Sequence, residues 1–204
     1  MPHRIALIDY RAGNLTSVKK AFAAVGADLS VPAEPGDLDR ADAVVVPGVG
    51  HFAATQALAA GWVDAIRAGV DAGKPLLGIC LGLQWLFEGS AEAPECGGLG
   101  LLAGRCYRLD SDVNGVSIKI PHVGWNELDI RRPDSIVEGV PPQAQVYFTH
   151  SFVAPITADT VAVTEHGRPF AAIVQRGSVA GVQFHPEKSG DIGLTVLRNF
   201  LRLV

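Results

Sequence analysis

The sequence predicts an α/β fold with a mostly parallel central sheet, flanking helices and extra antiparallel strands in the C-terminal half. Two observations carry this. Short apolar runs alternate with helix-like segments through the first half, the pattern of a parallel sheet covered on both faces. From about Leu99 onward, short β-like runs instead follow one another between turn signals, as antiparallel strands do. No internal repeat or low-complexity tract interrupts the chain, and 204 residues suit a single domain over 1–204.

The elements follow in order. Arg4 to Asp9 is apolar enough for a buried strand. Gly13-Asn14 opens a helix whose Val18, Phe22 and Val25 share one face, and Gly26 stops it. Ala43 to Val46 is a second strand, ended by Pro47. Phe52 to Ala72 reads as helical with a break near Gly61. Pro75 to Ile79 is a strand that runs directly into a helix beginning at Leu81. Ser90–Gly98 reads as a surface loop. Later strand-like runs are Leu101–Leu109, Val146–Val153, Thr160–Thr164, Ala171–Gln175 and Val179–Phe184. Turns are expected at Asn114-Gly115 and at Glu165-His166-Gly167-Arg168. A final helix from Asp191 to Leu203 lines up Leu194, Leu197, Phe200 and Leu201.

Composition excludes several classes. Apolar residues make up 48% of the chain and charged residues 19%, so a sizeable core can form. The net charge of −4 comes without any Lys/Arg block, which speaks against nucleic acid or an anionic membrane as partner. No apolar stretch approaches the roughly 20 residues that span a bilayer. The opening MPHRIALIDY lacks the long apolar region and cleavage site of a signal peptide. Cys80, Cys96 and Cys106 form neither a CxxC pair nor a regular framework. A reducing, cytoplasmic setting is expected, with no cofactor and no metal: the spacings of His51, His122, His150 and His166 match no zinc template.

Three sites could carry chemistry. Gly78-Ile-Cys80-Leu-Gly82 joins a strand to a helix, a cysteine version of the nucleophile elbow. Its glycines permit a tight turn, the helix start favours negative charge on sulfur, and the Leu81 N–H is placed to donate to an oxyanion. A buried free cysteine would have the same pattern. The second site is Phe184-His185-Pro186-Glu187 after a strand-like run: His185 as general base and acid, Glu187 as the carboxylate that holds the imidazole. A polar turn would also fit. The third is Pro47-Gly48-Val49-Gly50, a glycine-rich turn able to aim N–H groups at developing charge. No Gly-Lys-Ser/Thr follows, so it is no phosphate-binding P-loop.

Together these segments resemble the class I, triad glutamine amidotransferases, in matching order over nearly the whole chain. Within that class the chain is most similar to the glutaminase subunits of imidazole glycerol phosphate synthase. The narrower likeness rests on Ile8-Asp9-Tyr10…Gly13-Asn14-Leu15…Ser17, Pro47-Gly-Val-Gly-His-Phe52, Pro121-His-Val-Gly-Trp-Asn126, Tyr147-Phe-Thr-His-Ser-Phe152 and His185-Pro-Glu-Lys-Ser189. Arg11 stands where glycine is more frequent, Ile79 where threonine is, and Phe152 where tyrosine is.

The resemblance implies a Cys80–His185–Glu187 triad that hydrolyses glutamine through a thioester, with oxyanion donors at Leu81 and the Gly48–Val49–Gly50 turn. It implies glutamine contacts from Gln84 and from the backbone of Ser151 and Phe152. The implied partner is a (β/α)8-barrel cyclase subunit in a heterodimer. That subunit would use the ammonia to turn a phosphoribosyl-formimino carboxamide ribonucleotide (PRFAR) into imidazole glycerol phosphate and an aminoimidazole carboxamide ribonucleotide (AICAR). Asn14, Trp125 (in an expected Gly-Trp-Asn loop) and Lys188 are interface candidates. The flexible Pro47–Gly50 turn suggests low activity until the partner binds its nucleotide. Rivals are the glutaminases of anthranilate, aminodeoxychorismate, pyridoxal phosphate or guanylate synthesis, a stand-alone γ-glutamyl hydrolase, and a non-enzymatic protein on the same fold. Cys96 and Cys106 are expected to be structural, and Asp9 to cap a turn.

Overall fold

The computed structural model describes residues 3–58 and 61–204. The first half builds β1 (Arg4–Leu7), α1 (Leu15–Ala24), β2 (Asp28–Ser30), β3 (Ala43–Val46), α2 (Trp62–Asp71), β4 (Leu76–Ile79) and α3 (Leu81–Leu86). Short strands β5 (Gly89–Ser90), β6 (Ala93–Gly97), β7 (Arg105–Arg108), β8 (Asp112–Val113) and β9 (Val116–Ser117) follow. The second half adds β10 (His122–Glu127), β11 (Asp129–Ile130), β12 (Gln145–His150) and β13 (Phe152–Val153). It ends with β14 (Thr160–His166), β15 (Arg168–Arg176), β16 (Val179–Val182) and α4 (Gly190–Leu201).

The main sheet has the order β11-β14-β15-β16-β4-β3-β1-β2. The run from β2 to β16 is parallel, and β15, β14 and β11 extend it antiparallel. This is the mixed sheet that the change of pattern near Leu99 predicts. Side chains alternate between two cores, as the two-residue period of a strand requires. Ile5, Leu7, Val45 and Ile79 pack on one side with α1 and α4. Ala6, Ile8, Val46 and Leu76 pack on the other with α2 and α3. Phe22 of α1 and Phe200 of α4 are fully buried and meet edge to face, with centroids 6.4 Å apart. Each such ring contributes roughly 1.5–3 kcal/mol by leaving water.

Local signals set most boundaries. The Asn14 carboxamide oxygen accepts the Ser17 N–H at 3.1 Å and caps α1, and Gly26 ends that segment in the left-handed region at φ +85°. Asn114-Gly115 turns β8 into β9 with both residues at positive φ, as a tight hairpin requires. Among the described residues no helix is long and apolar enough to cross a membrane.

Four expectations need correction. Gly61, the expected break, has φ +95° at the start of α2, but the stretch before it, Phe52–Leu58, is 3-10 and not α-helical; Ala59 and Ala60 lie outside the described residues. Ser90–Gly98 is no surface loop: β6 pairs with β5, and Ala93 and Cys96 are buried. The run Val146–Val153 is split, because β12 pairs with β10 and β13 with β7. Trp125 sits in strand β10 and not in a loop.

Two glycines fix the height of α3 over the sheet. A Cβ on Gly82 would run into the Val46 carbonyl of β3, and one on Gly78 would lie 2.6 Å from the Gly82 carbonyl oxygen. Gly82→Ala is therefore expected to destabilise the fold by roughly 1–3 kcal/mol through overpacking, read as a lower urea midpoint. An unchanged midpoint would mean that α3 lifts off the strand at no cost.

Candidate active site

In an open parallel sheet, functional groups gather beyond the carboxyl ends of the strands. Here the segments after β1, β3, β4 and β16 all leave the sheet at that edge. They carry Tyr10 to Asn14, the Pro47–Gly50 turn, Cys80, and Gln183 to Glu187.

Cys80 connects β4 to α3 at φ 53°, ψ −104°, a conformation that costs an ordinary side chain energy and marks a nucleophile elbow. Its N–H is anchored on the Val182 carbonyl at 2.7 Å. The sulfur borders a cavity of about 220 Å³ lined also by Gly50, Leu81, Gln84, Glu92, Ser151 and Phe152.

His185 and Glu187 bracket Pro186 after β16. The Nδ1 nitrogen of His185 lies 2.7 Å from a Glu187 carboxylate oxygen, and both side chains are buried. The His185 N–H donates to the Tyr147 carbonyl at 2.9 Å. The Ser189 hydroxyl donates to the His185 carbonyl at 2.7 Å and accepts the Tyr147 N–H at 3.0 Å. The ring is therefore held from both its side chain and its backbone. Its Nε2 nitrogen is buried without a hydrogen-bond partner. Burial opposes a proton on this ring, but interactions with Cys80 and Glu187 outweigh it and raise the pKa to about 10. With Nδ1 committed to Glu187, Nε2 is the nitrogen left for the thiol.

The Gly48–Val49 peptide is turned away from an oxyanion-donating orientation. Its N–H donates to the Ala12 carbonyl at 3.1 Å, and its carbonyl accepts the Leu81 N–H at 3.3 Å. Both N–H groups expected at an oxyanion are thus bonded to protein carbonyls. Gly50 lines the cavity with φ +97°. The Gln84 amide donates to the Phe152 carbonyl at 2.8 Å and to the Gln183 side chain at 3.2 Å.

Two neighbours went unnoticed in the sequence. Gln183 is fully buried and its amide donates to the Cys80 sulfur at 3.6 Å. It could have been found as the one polar side chain in an apolar strand end, two positions before His185. Glu92 lines the cavity, and its carboxylate accepts the Phe52 N–H at 2.7 Å; nothing in its local sequence announces that. Of the remaining candidates, Asn14 caps α1, Trp125 is 57% exposed and stacks edge-on to Tyr147, and Lys188 places its Nζ 5.7 Å from the Tyr147 ring. Asp9 accepts the Arg11 N–H at 2.8 Å, and Arg11 has φ +62°, which explains why glycine would suit that position. Cys96 and Cys106 are free and buried.

A thiol on a strained elbow, an imidazole and a buried carboxylate, set over a polar cavity, constitute the machinery of acyl transfer. The fold and this site define a class of thiol-dependent amidotransferases. The family model described as glutamine amidotransferase class-I matches residues 6–204. The imidazole glycerol phosphate synthase subunit HisH of Syntrophotalea carbinolica is 46% identical over 202 residues, covering 96% of this chain and 98% of the relative. That of Methanothermobacter thermautotrophicus is 42% identical, covering 98% of each. Among solved structures, a glutamine amidotransferase aligns with a TM-score of 0.74 at 23% identity, covering 97% of both chains. PurLQS from Thermotoga maritima aligns at 0.75 and 20%, covering 99% of both. The chain belongs to the class I glutamine amidotransferases and, within them, to the family of the HisH subunits of imidazole glycerol phosphate synthase.

The raised His185 pKa has a measurable sign. The folded chain keeps a proton that the unfolded chain releases at the ordinary value of 6.5. This contribution to stability is complete below pH 6.5 and is lost as the pH rises toward about 10. Glu187→Gln is expected to lower the His185 pKa, followed by histidine NMR titration, and to flatten the fall in stability across that window. An unmoved pKa would mean that Glu187 does not hold the proton.

Proposed function

We propose that residues 1–204 act as one glutaminase domain in which Cys80, His185 and Glu187 hydrolyse glutamine. The observation that carries this reading is the strained Cys80 elbow beside an imidazole whose other nitrogen is fixed by Glu187 at 2.7 Å. Glutamine enters the cavity with its side-chain amide toward the sulfur. Glu92 takes the α-ammonium group, and Gln84 with the Ser151–Phe152 backbone shapes the wall. The Cys80 sulfur adds to the amide carbon beside a His185 ring that already carries its proton. His185 returns that proton to the departing ammonia, leaving a γ-glutamyl thioester. Water, deprotonated by His185, then releases glutamate and the free thiol.

The oxyanion of each tetrahedral intermediate needs donors, and Val49 and Leu81 are the candidates. One rotation of the Gly48–Val49 peptide would turn the Val49 N–H inward and release the Leu81 N–H together, since the same peptide engages both. A resting orientation of this kind supports low activity in the isolated chain. A site held back in this way prevents ammonia from being wasted when no acceptor is present.

The acceptor is proposed to be a (β/α)8-barrel cyclase subunit, in a cytoplasmic heterodimer that makes imidazole glycerol phosphate and AICAR from PRFAR. Near identity in length to the HisH relatives supports this. So does the exposed apolar group of Val49 at 40%, Val123 at 55% and Trp125 at 57%. Trp125 leans on Tyr147, whose carbonyl holds the His185 backbone, so a partner bound there would touch the residues that frame the site.

Glutamate release tests the proposal. The chain alone should be slow, addition of the cyclase subunit with its nucleotide should raise kcat by orders of magnitude, and Cys80→Ala should abolish the rate. Loss of one oxyanion donor alone costs about a hundredfold or more in known cases, which sets the scale of the activation. A fast basal rate that ignores the partner would move the reading to a stand-alone hydrolase. A rate that survives Cys80→Ala would end it.

A further inference from the structure

Tyr10 lies in the loop after β1, is only 6% exposed, and its hydroxyl has no hydrogen-bond partner. A buried hydroxyl without a partner calls for an explanation. The group meets Gly48: a Cβ on that glycine would collide first with the Tyr10 hydroxyl and next with the Leu81 side chain, at 2.8 Å. The same loop supplies the Ala12 carbonyl that holds the Val49 N–H, and Gly13 lies against Pro47. The unpartnered hydroxyl therefore sits at one end of the peptide that the proposed mechanism must turn.

That rotation breaks two hydrogen bonds and swings the Gly48 carbonyl away from Leu81. A carbonyl displaced into a buried place needs a new donor. We propose that Tyr10 is a positioning residue whose hydroxyl donates to the Gly48 carbonyl in the rotated, oxyanion-ready state. This rests on the glutaminase reading given above. Burial, and then the nearby Cys80, raise the phenol pKa far above its ordinary value, so the group keeps its proton as a donor must. The absence of a side chain at Gly48 is explained in the same way: a methyl group there would displace the hydroxyl. Tyr10 touches neither glutamine nor the reacting atoms. It acts through the Val49 amide.

The test is Tyr10→Phe in the complete complex with cyclase subunit and nucleotide, beside the wild type and Cys80→Ala. The expected result is a fall in glutaminase kcat of about tenfold, the order of one neutral hydrogen bond, with KM for glutamine unchanged. Thermal stability should be unchanged or higher, because the resting state loses only an unpartnered hydroxyl. Alkylation of Cys80 by iodoacetamide, which develops no oxyanion, should proceed at the wild-type rate. An unchanged kcat in a wild-type complex with Cys80-dependent activity overturns this inference and leaves the glutaminase reading standing. Alkylation slowed in parallel with turnover also overturns it, since Tyr10 would then act on the sulfur itself. A wild-type complex without Cys80-dependent glutamate release overturns both.

Discussion

Everything at the catalytic edge depends on a close approach of two backbones: α3 resting on β3 through Gly82 and the Val46 carbonyl. Side chains at Gly78 or Gly82 would push the helix outward. The chain would then leave β4 by a wider turn, and Cys80 would lose the positive φ that aims its sulfur into the cavity. The strain at Cys80 persists because its surroundings over-determine it. β4 is hydrogen-bonded on both sides, to β3 and β16, and α3 is buried along its whole length. The elbow is a consequence of packing density, and the cost of one unfavourable residue is spread over a large apolar core.

The second constraint is the clamp on His185. Its side chain is tied to Glu187, its N–H to Tyr147 and its carbonyl to Ser189. Ser189 also binds the Tyr147 N–H, so β12 and the segment after β16 are closed into one unit. The ring cannot turn without breaking a buried charge-assisted hydrogen bond, the stronger kind. Gln183 and Gln84 extend the same logic to the cavity wall, joining the Cys80 sulfur to the Phe152 carbonyl through two side-chain amides. These amides fix the relation between nucleophile and wall before any substrate arrives, which is the condition for electrostatic preorganisation.

Against this rigid frame, the Gly48–Val49 peptide is the part that the proposed mechanism must turn. Its hydrogen bonds join the loop after β1 to the start of α3, at 3.1 and 3.3 Å. Gly48, on one side of the peptide, lowers the torsional cost of turning it. Control of this kind needs only a small difference in free energy between two orientations, which contacts at the exposed Val49, Val123 and Trp125 could supply.

The proposed reacting groups stand out because each sits in a short local pattern: a glycine-flanked cysteine after a strand, and a His-Pro-Glu step after another. Continuous apolar runs likewise disclosed the central parallel strands β3 and β4, which are buried on both faces, and Asn14 and Gly26 disclosed the limits of α1. β10 and the β5–β6 pair stayed hidden: in β10 the exposed positions carry apolar Val123 and Trp125 and the covered ones His122, Gly124 and Asn126, and β5 is only two residues long. Glu92 and the Tyr10 hydroxyl were not readable as site groups, because their neighbours there are distant in sequence. The amino-acid sequence by itself determined the candidate reacting groups and the elements that carry them, through periodicity, caps and glycines that act within a few residues. The tertiary structure alone decided the state of the machine: which way the Gly48–Val49 peptide faces, and which buried polar atoms find partners, follow from the packing of loops brought together by strand order.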